Sequence, residues 1–246
     1  PSSGWSFDIA KLRVADSLLI CQQPGGDEYN FRDLNINMEQ DANKLATLSL
    51  STTLMRNQRN ATLNLKGQLD AAQYPHRLSG QLQQLDYTLS GADIPAQGIK
   101  GSLSLQGDWN GDRQQLSFSN LQLTANDSTL TGQGSGHIAP PQQLALDLKA
   151  SNLNVDNLLT SAPVSDAPGV QHATVARSPV IAAPRERSNA DSPLNDLDLA
   201  LKLQADNAVW RGLSLTSLSV NASNQQGVMT LKTLSGKLGN GSFSIP

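Results

Sequence analysis

The chain has a single cysteine, Cys21, among its 246 residues. That excludes an internal disulfide framework and any CxxC metal site, and leaves the redox compartment open. Charge is also scarce: charged residues make up 16%, where about 25% is usual. The net charge is −3, the pI is about 5.5, and the 18 Lys and Arg are spread along the chain. A dense basic surface is therefore absent, which excludes nucleic acid as the main partner. No apolar run approaches the roughly 18 residues of a membrane-spanning helix, and no signal peptide is visible. Apolar residues spaced for a helix are nearly missing. The chain opens at Pro1 without Met and stops in what reads as a strand, Phe243 to Pro246, so it reads as a piece of a longer protein.

Uncharged polar residues take up the difference. There are 19 Asn, 21 Gln, 27 Ser and 13 Thr, about a third of the chain. Leu, Ile, Val and Phe together number 59, and 38 of these are Leu. They alternate with polar residues at period two, the mark of half-buried strands. Leu63 and Leu65 lead to Gly67 and Leu69; Leu103 and Leu105 lead to Gly107 and Trp109. Leu116 and Phe118, then Leu144, Leu146 and Leu148, and then Leu199, Leu201 and Leu203 repeat the pattern. Trp5, Phe7 and Ile9 fit it as well. One face of each strand is apolar and the other wet, which predicts an all-β, antiparallel sheet of roughly fifteen strands.

Punctuation agrees with strands. Asn110-Gly111 predicts a type I′ hairpin turn, and the slip in alternation from Leu82 to Leu85 predicts a bulge. Pro24-Gly25-Gly26-Asp27 marks another strand end. Residues 152–159 suggest a short helix capped by Asp156. Residues 161–193 carry five prolines without periodicity and read as a flexible linker or long loop. The expected organisation is a main sheet over 1–160, that linker, and a continuation of the sheet over 194–246.

The Leu bias bears on function. Packed sheet interiors favour β-branched and aromatic residues, yet there are only 9 Val, 8 Ile and 4% aromatics. The Leu rows form either an ordinary closed core or an open apolar trough. Large open apolar patches mark binding surfaces, and acyl chains suit one because they need no directional hydrogen bonds. The face residues singled out are Leu63, Leu65, Leu103, Leu105, Leu116, Phe118, Leu144, Leu146, Leu148, Leu199, Leu201 and Leu203.

Catalytic and cofactor patterns fail on inspection. His76, His137 and His172 are far apart in sequence and lack metal-ligand spacing. Gly132-Gln-Gly-Ser-Gly-His137 lacks the third glycine of a dinucleotide loop and the central Ser of a nucleophile elbow, and reads as a strand whose backbone packs closely. Asp108-Trp-Asn-Gly-Asp112 has Arg113 where a calcium loop needs glycine, so it reads as a hairpin turn. Four Asn-x-Ser/Thr sequons, at Asn60, Asn126, Asn221 and Asn240, are expected by chance in this composition. Cys21 reads as a small buried thiol, and Arg185-Glu-Arg187 as a solvated patch. No nucleophile sits with an evident base. The expectation is a chain that is no enzyme and holds no metal or cofactor.

Trp5 to Leu19 followed by Phe31-Arg-Asp-Leu-Asn-Ile36, then Thr131-Gly-Gln-Gly-Ser-Gly-His-Ile138 with Leu144 to Leu159, then Ala205 to Leu215 with Gly236 to Phe243, stand in an order that spans most of the chain outside the linker. In that order the sequence resembles the AsmA family of bacterial envelope proteins. The resemblance implies an elongated, curved, groove-like β structure with an apolar inner face and at most one or two short helices, similar to eukaryotic bridge-like lipid-transfer proteins. It also implies a periplasmic protein tethered to the inner membrane by an anchor not present in this chain. The role implied is phospholipid movement toward the outer membrane and outer-membrane biogenesis, with phospholipid acyl chains and outer-membrane assembly components as partners. A rival expectation is a non-enzymatic module that aids outer-membrane protein assembly by offering sheet edges, without binding lipid.

Overall fold

A computed structural model describes residues 11–22, 26, 28–159, 197–225 and 227–245. Trp5, Phe7, Ile9, Pro24, His172, the Arg185 to Arg187 patch and the expected 161–193 linker lie outside the described residues. Among the described residues 79% are in strands, and no α-helix occurs. The fold is all-β, as the alternation predicts, with thirteen strands among the described residues.

The chain divides into two compact units, Pro1–Leu123 and Thr124–Pro246. The first holds β1 (Lys11–Gln22), β2 (Glu28–Gln40), β3 (Leu45–Arg56), β4 (Arg59–Asp70), β5 (Arg77–Gly91), β6 (Ile99–Asn110) and nearly all of β7 (Gln115–Ala125). The second holds β8 (Ser128–His137), β9 (Gln142–Asn154), β10 (Leu197–Trp210), β11 (Leu213–Gln225), β12 (Val228–Leu238) and β13 (Gly241–Ile245). Within each unit the strands hydrogen-bond in chain order, as an open sheet. The backbone of each strand lies beside the strands it pairs with.

In the first unit the pairings from β1 to β6 are all antiparallel. In the second, β9 and β10 pair in parallel, with Leu144, Leu146 and Leu148 opposite Leu199, Leu201 and Leu203. This joint departs from a purely antiparallel sheet. Alternation fixes which face a residue takes but is blind to strand direction. Parallel neighbours need a long connection, and 42 residues separate Asn154 from Leu197.

The turns correct two expectations. Asn110 and Gly111 both lack the positive φ that a type I′ turn demands. Asn110 instead ends β6, and its Oδ1 accepts the N–H groups of Asp112 and Arg113, both at 3.1 Å. Gln114 supplies the left-handed residue, and the loop runs to four residues. Gly111 is needed for proximity rather than for φ: a Cβ there would lie 2.0 Å from the Pro75 carbonyl oxygen. Left-handed pairs do occur between β3 and β4 at Asn57-Gln58, and between β10 and β11 at Arg211-Gly212. The second correction concerns Asp156. A single 3-10 turn spans Val155–Asn157, and its N-terminus has no side-chain cap. Asp156 reaches across to the β10–β11 turn, accepting the N–H groups of Arg211 at 2.5 Å and Gly212 at 2.9 Å.

The bulge between Leu82 and Leu85 is present as a register shift. Others sit at Asp16 and Asp33, which take positive φ in mid-strand, a conformation Asp tolerates better than most residues. Asn35 ties these two together. Its Oδ1 accepts the Asp16 N–H at 3.0 Å, and its Nδ2 donates to the Asp33 carbonyl at 2.9 Å.

Candidate functional site

Because opposed residues of a ladder share a face, the register assembles the apolar surface of each unit. In the first unit one transverse row runs Val14, Ile36, Leu50, Leu65, Leu85, Leu103, across six strands. The next row runs Leu12, Met38, Leu48, Gly67, Leu82, Leu105. Leu63 lies between Thr52 and Tyr87, and Tyr87 faces Gly101. Burial raises the pKa of the Tyr87 phenol, in keeping with an apolar setting. Leu116 and Phe118 occupy half-buried positions of β7, with exposed Ser117 between them. The first unit thus brings Leu63, Leu65, Leu103 and Leu105 onto one face, all half-buried.

In the second unit the parallel joint aligns Leu144 with Leu199, Leu146 with Leu201, and Leu148 with Leu203. On the far side of β9 these three leucines face Gly136, Gly134 and Gly132. The glycine strand therefore packs closely, as its sequence predicts. A Cβ on Gly132 would lie 2.3 Å from the Asp147 carbonyl and 2.8 Å from Leu148 Cδ2; one on Gly136 would lie 2.5 Å from the Gln143 carbonyl. Beyond β10 the rows continue to Ala222 and Leu231, and to Val220, Leu234 and Ile245. A tighter patch flanks them. Ala150, Ala205, Ala208 and Leu218 are buried, and Leu130, Leu215, Phe243 and others pack around them.

The candidate set left out the partners that complete these rows: Leu48, Leu50, Leu85 and Tyr87 in the first unit, and the buried Ala150, Ala205 and Ala208 in the second. The signal was there for Leu48 and Leu50, which alternate with Ser49. Ala150 and Ala205 carry it too, as the last members of the runs Leu144–Leu148 and Leu199–Leu203, whereas Ala208 falls out of step with them.

The opposite face is polar in both units. In the first it carries a hollow of about 420 Å³, lined by Lys11, Arg13, Asn37, Ser49, Asn64 and Lys66 among others. In the second unit, at the β7–β8 turn rather than on a sheet face, Asp127 accepts from the side-chain amides of Asn157 at 2.5 Å and Asn154 at 3.2 Å. Those hydrogen bonds hold its carboxyl below the usual range.

The remaining sequence features fall into place singly. His76 Nδ1 lies 2.8 Å from Asp112 Oδ1, both exposed, and joins the β4–β5 loop to the β6–β7 loop. His137 Nδ1 faces the Ala139 carbonyl at 3.0 Å. The Asp108 to Asp112 segment is a strand end and loop, as expected. Cys21 is a free thiol but half-exposed rather than buried. The physical reason is that β1 has one neighbour among the described residues, so its end is open: Leu18, Leu19 and Ile20 beside Cys21 are exposed, Leu18 by 61%.

Comparison with known proteins carries the assignment. No family model and no solved structure matches the chain. Protein AsmA of Escherichia coli (strain K12) is 36% identical over 249 residues, which cover 99% of this chain. The chain spans 40% of that relative's length. Identity of this extent along nearly every strand, on top of the all-β architecture, assigns the chain: it belongs to the AsmA family.

Proposed function

We propose that this chain is a non-enzymatic, periplasmic part of an inner-membrane-anchored protein, and that its apolar sheet faces hold phospholipid acyl chains in support of phospholipid transport to, and biogenesis of, the outer membrane. The observation that carries the reading is the set of in-register leucine rows across β4 to β6 and across β9 and β10, in which every leucine stays half-buried rather than buried. Fully burying one such side chain is worth about 1.5–3 kcal/mol. A row left partly open retains a share of that as affinity for an apolar ligand. Acyl chains match a face made chiefly of Leu, Ile and Gly, with the Thr52 and Tyr87 hydroxyls its few side-chain donors. The relationship to the E. coli protein supports the envelope role.

The test is mass spectrometry of an organic extract of the purified chain beside a soluble β protein. Phospholipid at about one molecule or more per chain is the expected outcome. Leu146→Asp places a charge in the row Gly134, Leu146, Leu201 and should abolish loading with modest loss of folding. No lipid above the control would favour the second reading, a module with closed faces that aids outer-membrane protein assembly. The observation on its side is the buried alanine cluster of the second unit, which leaves no room for a ligand there.

A further inference from the structure

The polar face of the first unit contains charges that the apolar-face reading leaves unused. Arg13 and Lys66 stand on one transverse row, Arg13–Asn37–Ser49–Lys66. Three strand spacings separate their backbones, about 14 Å at roughly 4.8 Å each. Between them lie only the short side chains of Asn37 and Ser49, so two long cationic side chains flank a low floor. Both cations line the 420 Å³ hollow. The neighbouring row adds Ser51 and Asn64, which pair directly.

The balance of charge favours an anion. Among the described residues, neither Arg13 nor Lys66 has an ion-pair or hydrogen-bond partner. Lys11, the third cation of the lining, is held by Glu39 at 3.7 Å. Asp86, on the row next to Lys66, takes both its contacts from the Gln84 amide, at 2.9 and 3.1 Å. No carboxylate lines the hollow. Guanidinium and ammonium groups with amides and hydroxyls between them offer cationic donors for a phosphate and neutral donors and acceptors for hydroxyls, the complement of a phosphate on a hydroxylated carrier.

We propose that this hollow binds a phosphate ester of a polyol, with Arg13 and Lys66 gripping the phosphate from two sides and Asn37, Ser49 and Asn64 meeting the hydroxyls. The ester is either a free small molecule or the glycerophosphate headgroup of a lipid presented at a bilayer surface. The proposal is independent of lipid binding on the apolar face, since the two faces are separate sides of the sheet.

The test titrates the whole chain with sn-glycerol 3-phosphate and with glycerol, following backbone amide NMR shifts of residues 35–37, 49–51 and 64–66. A second arm measures co-sedimentation with phosphatidylglycerol vesicles against phosphatidylcholine vesicles. Saturable shifts with glycerol 3-phosphate but not glycerol support the free-ester form. Retention on phosphatidylglycerol vesicles without such shifts supports the headgroup form. In either arm Arg13→Gln and Lys66→Gln should each weaken binding at least fivefold, while Lys232→Gln, an equal loss of charge on exposed β12, should change it less than twofold. Raising salt from 50 to 300 mM should weaken binding too, because exposed charges are screened. Binding that is unaltered by both Arg13→Gln and Lys66→Gln, or absent in both arms, overturns the proposal. Lipid extraction is read separately, so failure here leaves the apolar-face reading standing, and the reverse also holds.

Discussion

The two units use the same alternation and arrive at different apolar faces. The first presents large side chains in rows, Ile36, Leu50, Leu65, Leu85 and Leu103, none of them buried. Its buried apolar residues, Leu34, Ala46, Ala71 and Leu121, form no shared cluster among the described residues. The second has half-buried leucine rows too, Leu144, Leu146 and Leu148 beside Leu199, Leu201 and Leu203, but it flanks them with glycines on β8 and with a buried patch around Ala150, Ala205, Ala208 and Leu218. Large side chains standing next to one another on a single sheet keep their tips in contact with solvent. Small ones let neighbours such as Leu148 and Phe243 lie across them. Openness of the face is therefore set by side-chain size within the apolar set, not by hydrophobicity alone.

The sharpest way to break this comparison is to truncate one leucine in each unit. Leu218→Ala removes a side chain that is 8% exposed and should cost about 2–5 kcal/mol. Leu65→Ala, in the open row, should cost about 1 kcal/mol, since only part of its surface is buried. Urea unfolding reads both, and equal losses would show that the first face is as closed as the second. Next in size is Gly132→Ala. A methyl group 2.3 Å from a backbone oxygen forces β8 and β9 apart, and about 1–3 kcal/mol of stability should be lost. Gly212→Ala, which meets nothing within 4 Å, should act only through its left-handed φ and so serves as the contrast. Asp156→Ala deletes two backbone hydrogen bonds to the β10–β11 turn and should cost about 1 kcal/mol, with faster amide exchange confined to Arg211 and Gly212.

The smallest effect is electrostatic. The Asp127 carboxyl is held below its ordinary value by Asn157 and then Asn154. A lowered folded-state pKa stabilises above the unfolded value and loses that contribution as pH falls through the folded value. Acid titration below pH 4 should therefore weaken the second unit slightly, and Asp127→Asn should flatten that limb. No change in the acid limb would mean that the amide contacts are too solvent-exposed to matter.

Much of this molecule is legible in its sequence. Leu144, Leu146 and Leu148, spaced by polar residues, dictate a strand with one apolar face. Period two is a property of a single strand and needs no partner. The slip at Leu82 to Leu85 marks a bulge for the same local reason. The glycines from Gly132 to Gly136 announce close approach, though not to what. The candidate face residues all fall on half-buried positions, yet their grouping was not legible, because opposition between strands depends on register.

What the sequence by itself determined is therefore the all-β class and the composition of each face, both written in neighbouring residues. Only the tertiary structure decided that β9 and β10 run parallel, bringing Leu146 to Leu201 across 55 residues of sequence. It alone turned Asp156 from a helix cap into the clasp of a distant turn, and set Arg13 and Lys66 on one row. These are pairings between segments far apart in the chain. They are fixed by hydrogen-bond register and connection length, which local periodicity does not encode.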